Sequence, residues 1–352
     1  MSNSSFPSPR NKTPGYKLIA NASLQSLTTF HVAAKASQLI EVTQANVLPD
    51  LLAQLKTDHQ PLLVLGGGSN ILFTQDFAGT IIRMATRGIA TITDDGVTAR
   101  VQVAAGENWD AFVRWSLAQG FAGLENLILI PGTVGAAPMQ NIGAYGVEVS
   151  EFIHAVNAWD HQQGQFIRLT NSDCDFAYRN SRFKRYRERY IITAVEFDLP
   201  RTRELSLDYA GVTQELAAMN INQPDRSQVG AAVERIRKRK LPDPAQLGNA
   251  GSFFKNPIVS PETVERLKGG HATLPVYKLP DNERKLSAAW LLEQVGYKGK
   301  RKGDAGFAEQ HALVLINYGN ASGAELWAMA SEAKNVVANR FSITLEPEPL
   351  IL

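Results

Sequence analysis

The sequence is poor in the features that most readily announce a mechanism. One residue of 352 is a cysteine, Cys174, which excludes an internal disulfide and any metal site built from several thiolates. Charge of neither sign dominates. The 36 Lys and Arg against 34 Asp and Glu leave a net charge of +2, which argues for no global field that would gather nucleic acid or an anionic membrane. The longest apolar runs, such as residues 62–65 and 312–316, fall far short of the ~20 residues of a membrane-spanning helix. Residues 1–14 are polar, with Ser, Asn and Pro, and lack the apolar segment of a secretory signal. They read as a frayed tail, and the chain as a cytoplasmic protein. Two catalytic fingerprints are missing as well. The glycines after residue 65 lack the G-x-G-x-x-G spacing of a dinucleotide turn, and no G-x-S-x-G elbow surrounds Ser252.

What is present is an ordinary globular balance, 44% apolar and 20% charged, in a chain long enough for two or three domains. Pro61-Leu-Leu-Val-Leu65 is interrupted by Gly66-Gly-Gly-Ser-Asn70 before Ile71-Leu-Phe73 resumes. This reads as strand, glycine turn, strand, where a Rossmann turn would need a helix to follow. Strands are expected at 79–83, 99–104, 152–159 and 190–199, the second with the alternation of a half-buried strand. Asn108 suits the cap of a helix reaching about Gln119, with Phe112, Val113 and Leu117 among its apolar positions. Residues 225–240 form a second helix, with Val229, Val233 and Ile236 on one stripe. It ends in Arg237-Lys-Arg-Lys240, where cations suit the helix terminus, and Pro242 and Pro244 stop it. A domain boundary is expected there. Beyond it come a helix over 283–295, a buried strand over 312–317 and a capping box, Ser322-Gly-Ala-Glu325. That box opens a helix with Leu326, Ala330, Ala333 and Val337 inward. The segment 345–349 is extended, since proline disfavours the helical region for the residue before it.

A second glycine-rich stretch holds Pro131-Gly-Thr-Val-Gly135 and Asn141-Ile-Gly-Ala-Tyr-Gly146. Glycines permit close backbone approach, and consecutive exposed amides make anion nests. The two stretches either clamp one diphosphate from two sides or are tight turns. In Asn249-Ala-Gly-Ser-Phe-Phe-Lys-Asn-Pro257, Ser252 has small residues before it and is either a nucleophile or a proton donor.

Four segments occur here in the order found in UDP-N-acetylenolpyruvoylglucosamine reductases: Leu65-Gly-Gly-Gly-Ser-Asn70, Pro131 to Gly146, Gly251-Ser-Phe-Phe-Lys-Asn-Pro257 and Leu345-Glu-Pro-Glu348. The chain resembles that family from about Leu18 to its last residue. Tyr178-Arg179 and Lys240-Leu-Pro-Asp-Pro244 match too, and the spacing around Tyr209 resembles the longer form, with a mobile tyrosine loop. Thr133 stands where the family often has Ser. The chain finishes at Pro349-Leu-Ile-Leu352 where many members continue.

The resemblance implies an α+β fold: two FAD-binding subdomains of the vanillyl-alcohol-oxidase type and a C-terminal α+β substrate domain. Its boundaries would be a disordered tail at 1–14, subdomains at 15–88 and 89–238, and the substrate domain at 239–342, with 343–352 a candidate to rejoin the first subdomain. It implies FAD held noncovalently by Gly66, Gly67, Gly68, Ser69, Asn70, Pro131, Gly132, Thr133, Gly135, Ala136, Asn141, Gly143, Ala144, Tyr145 and Gly146. NADPH is the implied co-substrate and UDP-N-acetylglucosamine enolpyruvate the substrate. Tyr178, Tyr209, Lys240 and Asn256 would bind that substrate. Ser252 would protonate the substrate carbon, Arg179 would bind its carboxylate bidentately, and Glu348 would donate a hydrogen bond to that carboxylate as charge develops. No metal and no membrane insertion are implied, and a monomer is expected. His311 reads as structural and Cys174 as unreactive. Two other readings stay open. An alcohol-oxidising flavoenzyme would often tether its flavin to a His or Cys, and neither lies in 66–70 or 131–146. A noncatalytic nucleotide-binding module would not need Ser252, Arg179 and Glu348 together.

Overall fold

The computed structural model describes residues 15–55, 60–209, 211–279 and 282–352; the tail expected over 1–14 lies outside them. The chain begins with β1 (Tyr16–Ser23), β2 (Lys35–Val42), α1 (Leu48–Leu55), β3 (Leu62–Leu65), β4 (Ile71–Leu72) and β5 (Phe77–Met84). Strand β5 is central: β2 and β3 pair with it in parallel, and β1 adds antiparallel to β2. Strand side chains alternate between faces, and here both faces are covered. Leu39 and Ile81 enter one core, Ile40 and Ile82 the other. That double burial is why residues 79–83 read as a nearly unbroken apolar run.

The next elements are β6 (Ile89–Asp94), β7 (Thr98–Ala104), α2 (Trp109–Ala118), a short hairpin of β8 (Gly143–Ala144) and β9 (Val147–Glu148), β10 (Ile153–Asp160), β11 (Gln165–Thr170), α3 (Arg182–Arg185) and β12 (Tyr190–Pro200). They include an antiparallel sheet in the order β11-β10-β12-β7-β6. The expected caps are in place. Asn108 accepts from the Ala111 amide at 2.9 Å at the start of α2. After α4 (Val212–Ala218), Asp225 accepts from the Gln228 amide at 2.8 Å to open α5 (Arg226–Lys240). Val229, Val233 and Ile236 of α5 are buried in the core of this sheet.

The remainder holds β13 (Gly248–Ser252), β14 (Ile258–Val259), α6 (Pro261–Gly270), β15 (Val276–Lys278), β16 (Arg284–Leu286), α7 (Ala288–Gln294), β17 (Arg301–Lys302), β18 (Ala305–Phe307), β19 (Val314–Asn317), α8 (Gly323–Phe341) and β20 (Leu350–Ile351). One sheet runs β13-β19-β18-β17 and a smaller one β14-β16-β15. The helix expected over 283–295 is corrected here. Residues 284–286 are a strand paired on both sides, and the helix starts only after Ser287, which accepts from the Trp290 amide at 3.2 Å. Helix α8 has the expected capping box and inward stripe. The last strand, β20, pairs in parallel with β4, directly after the first glycine turn. Among the described residues, no helix is long and apolar enough to cross a membrane.

Candidate active site

The two glycine stretches are pressed together. A Cβ on Gly67 would lie 2.7 Å from the Gly132 Cα, and one on Gly66 would lie 2.8 Å from Thr133 Oγ1, so only glycine permits this approach. Ser69 Oγ donates to the Pro131 carbonyl at 3.1 Å, and Asn70 Nδ2 donates to Gln140 Oε1 at 2.6 Å. The two stretches differ in what their amides are free to do. Among the described residues, no backbone amide of 67–70 donates to a backbone carbonyl, whereas those of Val134, Gly135, Ala136 and Asn141 are taken by Glu107, Ala105, Thr133 and Pro138. Open amides remain on both stretches, since those of Gly132, Thr133, Tyr145 and Gly146 also donate to no backbone carbonyl among the described residues. Asn141 is a buried strut: its Nδ2 donates to Glu148 Oε2 at 2.7 Å and its Oδ1 accepts from the Ser150 amide at 3.1 Å. Gly143 and Ala144 form β8, and Tyr145 and Gly146 make its turn at φ 49° and 85°.

Facing Tyr145 is Arg237, whose Nε is buried with no partner. Burial pulls its pKa below the ordinary arginine value, against the influence of Tyr145 and Asp110. Open amides, a cradle that a Cβ would fill and an orphaned guanidinium suit a large anionic dinucleotide such as FAD.

Beside this cradle, Ala177 and Asn180 exchange two backbone hydrogen bonds at 3.0 Å each, enclosing the turn Tyr178-Arg179. Arg179 sits at φ 53°, in the left-handed region that disfavours side chains. Its Nε donates to Glu348 Oε1 at 2.9 Å and its Nη2 to the Gly143 carbonyl at 2.7 Å. Burial is the largest influence and opposes the Arg179 charge, yet Glu348 together with Tyr178 and Glu148 leaves the pKa above the ordinary arginine value. Two arms of the fork are thus engaged within the protein, and Glu348 accepts from Arg179. Glu348 reaches the site because the chain around it lies along residues 253–255: its amide donates to the Phe253 carbonyl at 2.8 Å, and the Lys255 amide donates to Glu346 at 2.9 Å. Ser252 ends β13, opposite Val314. Its hydroxyl has no partner among the described residues, and a Cβ on Gly251, at φ 71°, would meet nothing within 4 Å. Ser252 itself is half-buried.

The other expected residues surround this centre unevenly. Tyr209 is exposed, with its ring edge-on to Tyr145 at 5.3 Å. Asn256 Oδ1 caps α7 by accepting from the Ala288 amide at 3.0 Å, which leaves its amide nitrogen for a ligand. Lys240 is exposed at the end of α5. Burial and the Lys240 charge lower the His311 pKa, while His311 Nδ1 accepts from the Leu313 amide at 3.3 Å, a structural bond. Cys174 is buried in the core, and burial pushes its thiol up to about 12, leaving it inert. Sequence reasoning missed Lys285, whose Nζ lies 5.0 Å from the Tyr178 ring centroid and 5.9 Å from that of Tyr277. Lys285 lies in the stretch expected to be helical, and its strand pairing is what turns it here. Arg237 was read only as a helix-terminal cation.

Residues 243–352 match the family model for the C-terminal domain of UDP-N-acetylenolpyruvoylglucosamine reductase, and residues 36–170 that of an FAD binding domain. UDP-N-acetylenolpyruvoylglucosamine reductase of Xylella fastidiosa (strain M12) is 51% identical over 342 residues, covering 97% of each chain. The enzyme of that name from Xanthomonas euvesicatoria pv. vesicatoria (strain 85-10) is 51% identical over 339 residues, 96% of this chain and 97% of the relative. The crystal structure of UDP-N-acetylenolpyruvylglucosamine reductase from Thermus caldophilus superimposes with a TM-score of 0.62 at 23% identity, covering 96% of this chain and 98% of that one. Near-full-length identity of this order, on the α+β architecture and cradle described above, means that the chain belongs to the UDP-N-acetylenolpyruvoylglucosamine reductase family.

Proposed function

We propose that this protein reduces the enolpyruvyl double bond of UDP-N-acetylglucosamine enolpyruvate, giving UDP-N-acetylmuramate for peptidoglycan synthesis in the cytoplasm. FAD is the noncovalently bound carrier and NADPH the reductant. The observation that carries this reading is the unpartnered Ser252 hydroxyl, one residue before the Phe253 carbonyl that accepts from the amide of Glu348, itself paired with Arg179. When bound and reduced by NADPH, the flavin would supply the hydride for the terminal vinyl carbon. The residues then meet two demands. Negative charge grows on the substrate carboxylate and its neighbouring carbon, and Arg179 Nη1, the arm engaged by neither Glu348 nor Gly143, is the donor left for it. Donors aimed at such charge contribute roughly 3–4 kcal/mol each. Ser252 Oγ gives its proton to the carbon, a role for positioned acids of ~10²–10⁴-fold in rate. Tyr209, Lys240 and Asn256 hold the diphosphate. NADPH and the sugar nucleotide use one site in turn.

The test follows NADPH oxidation by the FAD-loaded protein with and without the enolpyruvyl nucleotide, with product mass as the second readout. Substrate-dependent oxidation, a product two hydrogens heavier and parallel double-reciprocal lines are expected. A protein that stays colourless after FAD addition overturns the flavin reading. Intersecting lines overturn alternation at one site.

A further inference from the structure

Helix α3 turns a second cation back onto the catalytic turn. Lys184 Nζ donates to the Arg179 carbonyl at 3.1 Å. Its backbone is well anchored. Ser181 caps α3, accepting from the Lys184 amide at 3.3 Å, and donates its hydroxyl to the Met139 carbonyl at 2.6 Å. Phe183 beside it is fully buried against Tyr190. The carbonyl that Lys184 holds belongs to the one residue of this turn at positive φ. A strained backbone persists only when its surroundings over-determine it, and the Arg179 guanidinium takes its direction from that backbone.

We propose that Lys184 is a positioning residue, whose ammonium braces the left-handed Arg179 backbone and so keeps the guanidinium aimed at Glu348 and the substrate carboxylate. The proposal rests on the functional reading above. The groups facing Lys184 are Arg179 and Arg187 from its own stretch, and Lys255, Glu346 and Glu348 from the segments beside it; Lys255 is itself paired with Glu346 at 2.9 Å. Burial first, then Lys255, brings the Lys184 pKa down to about 8, with Glu348 opposing. The brace therefore loses its charge not far above neutral pH, and a neutral amine is a weaker donor to a carbonyl than an ammonium.

The experiment compares wild type, Lys184→Met and Lys184→Arg in the FAD-loaded full chain, following each half-reaction by stopped flow between pH 6 and 10. In Lys184→Met, oxidation of the loaded enzyme by the enolpyruvyl nucleotide is expected to slow about 100-fold, the cost of a misplaced catalytic group. The NADPH half-reaction, which does not use Arg179, should hold within about twofold. Wild type should lose rate in the enolpyruvyl step as pH rises through about 8, and Lys184→Arg, which stays charged, should restore the step and abolish that limb. A rate in Lys184→Met equal to wild type across the range overturns the proposal. So does a parallel fall of both half-reactions, or a failure of arginine to rescue, since each marks a merely structural lysine. The second readout needs no turnover. The Arg179 Nε–H resonance, held by its bond to Glu348, should persist in Lys184→Arg and broaden or shift in Lys184→Met; an unchanged resonance overturns the brace. A wild type that binds FAD but ignores the enolpyruvyl nucleotide fails the functional reading alone, and the resonance still decides the role of Lys184.

Discussion

Single residues here are distinguished by what they leave unused. Ser252 has a free hydroxyl, Arg179 one free arm, and Asn141 no amide hydrogen left to donate. Ser252→Ala should therefore leave NADPH oxidation and flavin content near wild type and slow the enolpyruvyl step by roughly 10²–10⁴-fold; Ser252→Cys should recover part of the rate. Stopped-flow absorbance separates the two steps, and a near-normal enolpyruvyl step in the alanine variant would move the proton source elsewhere. Gly67→Ala should behave oppositely. Its Cβ would sit 2.7 Å from the Gly132 Cα, so the cradle must open, and equilibrium dialysis should show FAD affinity reduced at least about tenfold, a cost of ~1.4 kcal/mol. An unchanged affinity would mean that the two turns separate freely. At this scale the motifs made Ser252, Arg179 and Glu348 visible in the sequence. Lys184, Arg237 and Lys285 were not visible, because a lysine or arginine in a basic stretch looks solvated until its surroundings are known.

Elements were legible where the signal is local. The α8 cap, Ser322 with Glu325, needs only neighbours in the chain, and the structure has it, with Ser322 Oγ accepting from the Glu325 amide at 3.2 Å. Ser322→Ala should lower unfolding free energy by about 1 kcal/mol in urea titration. Gly323→Ala should cost more, since its Cβ would overlap the Phe73 carbonyl; a smaller loss than for Ser322→Ala would show that α8 and residue 73 move apart without strain. The stretch 283–295 failed for the complementary reason. Its apolar spacing suits a helix, but the first residues find two strand partners in β14 and β15, and pairing over long range overrides local preference. Strands β1, β6 and β11 carry too little alternation of their own to be read alone, and each is an edge strand that exists because its neighbour holds it.

For the whole molecule, the last residues tie the site together. Leu350 donates to the Asn70 carbonyl at 3.0 Å and Leu352 to that of Leu72 at 3.0 Å, while Asn70 Nδ2 donates to the Glu348 carbonyl at 3.2 Å. The first glycine turn and the Glu348 segment are thereby one unit. Deleting residues 350–352 should slow the enolpyruvyl step and weaken FAD binding together, with the fold retained by circular dichroism; loss of only one of the two would separate the turn from the tail. What the sequence determined by itself is what short-range chemistry can encode: a non-Rossmann strand–turn–strand, the capped helices and glycines at close approaches. The tertiary structure alone decided which amides stay open, which arm of Arg179 is free, that Asn141 is a strut and that Lys184 reaches back to the strained carbonyl. Those outcomes depend on the path of the chain in space: Glu348 lies 169 positions from Arg179, and even Lys184, five positions away, meets it only because the chain turns back. A polar group's availability is set by what has already satisfied it, and no local pattern records that.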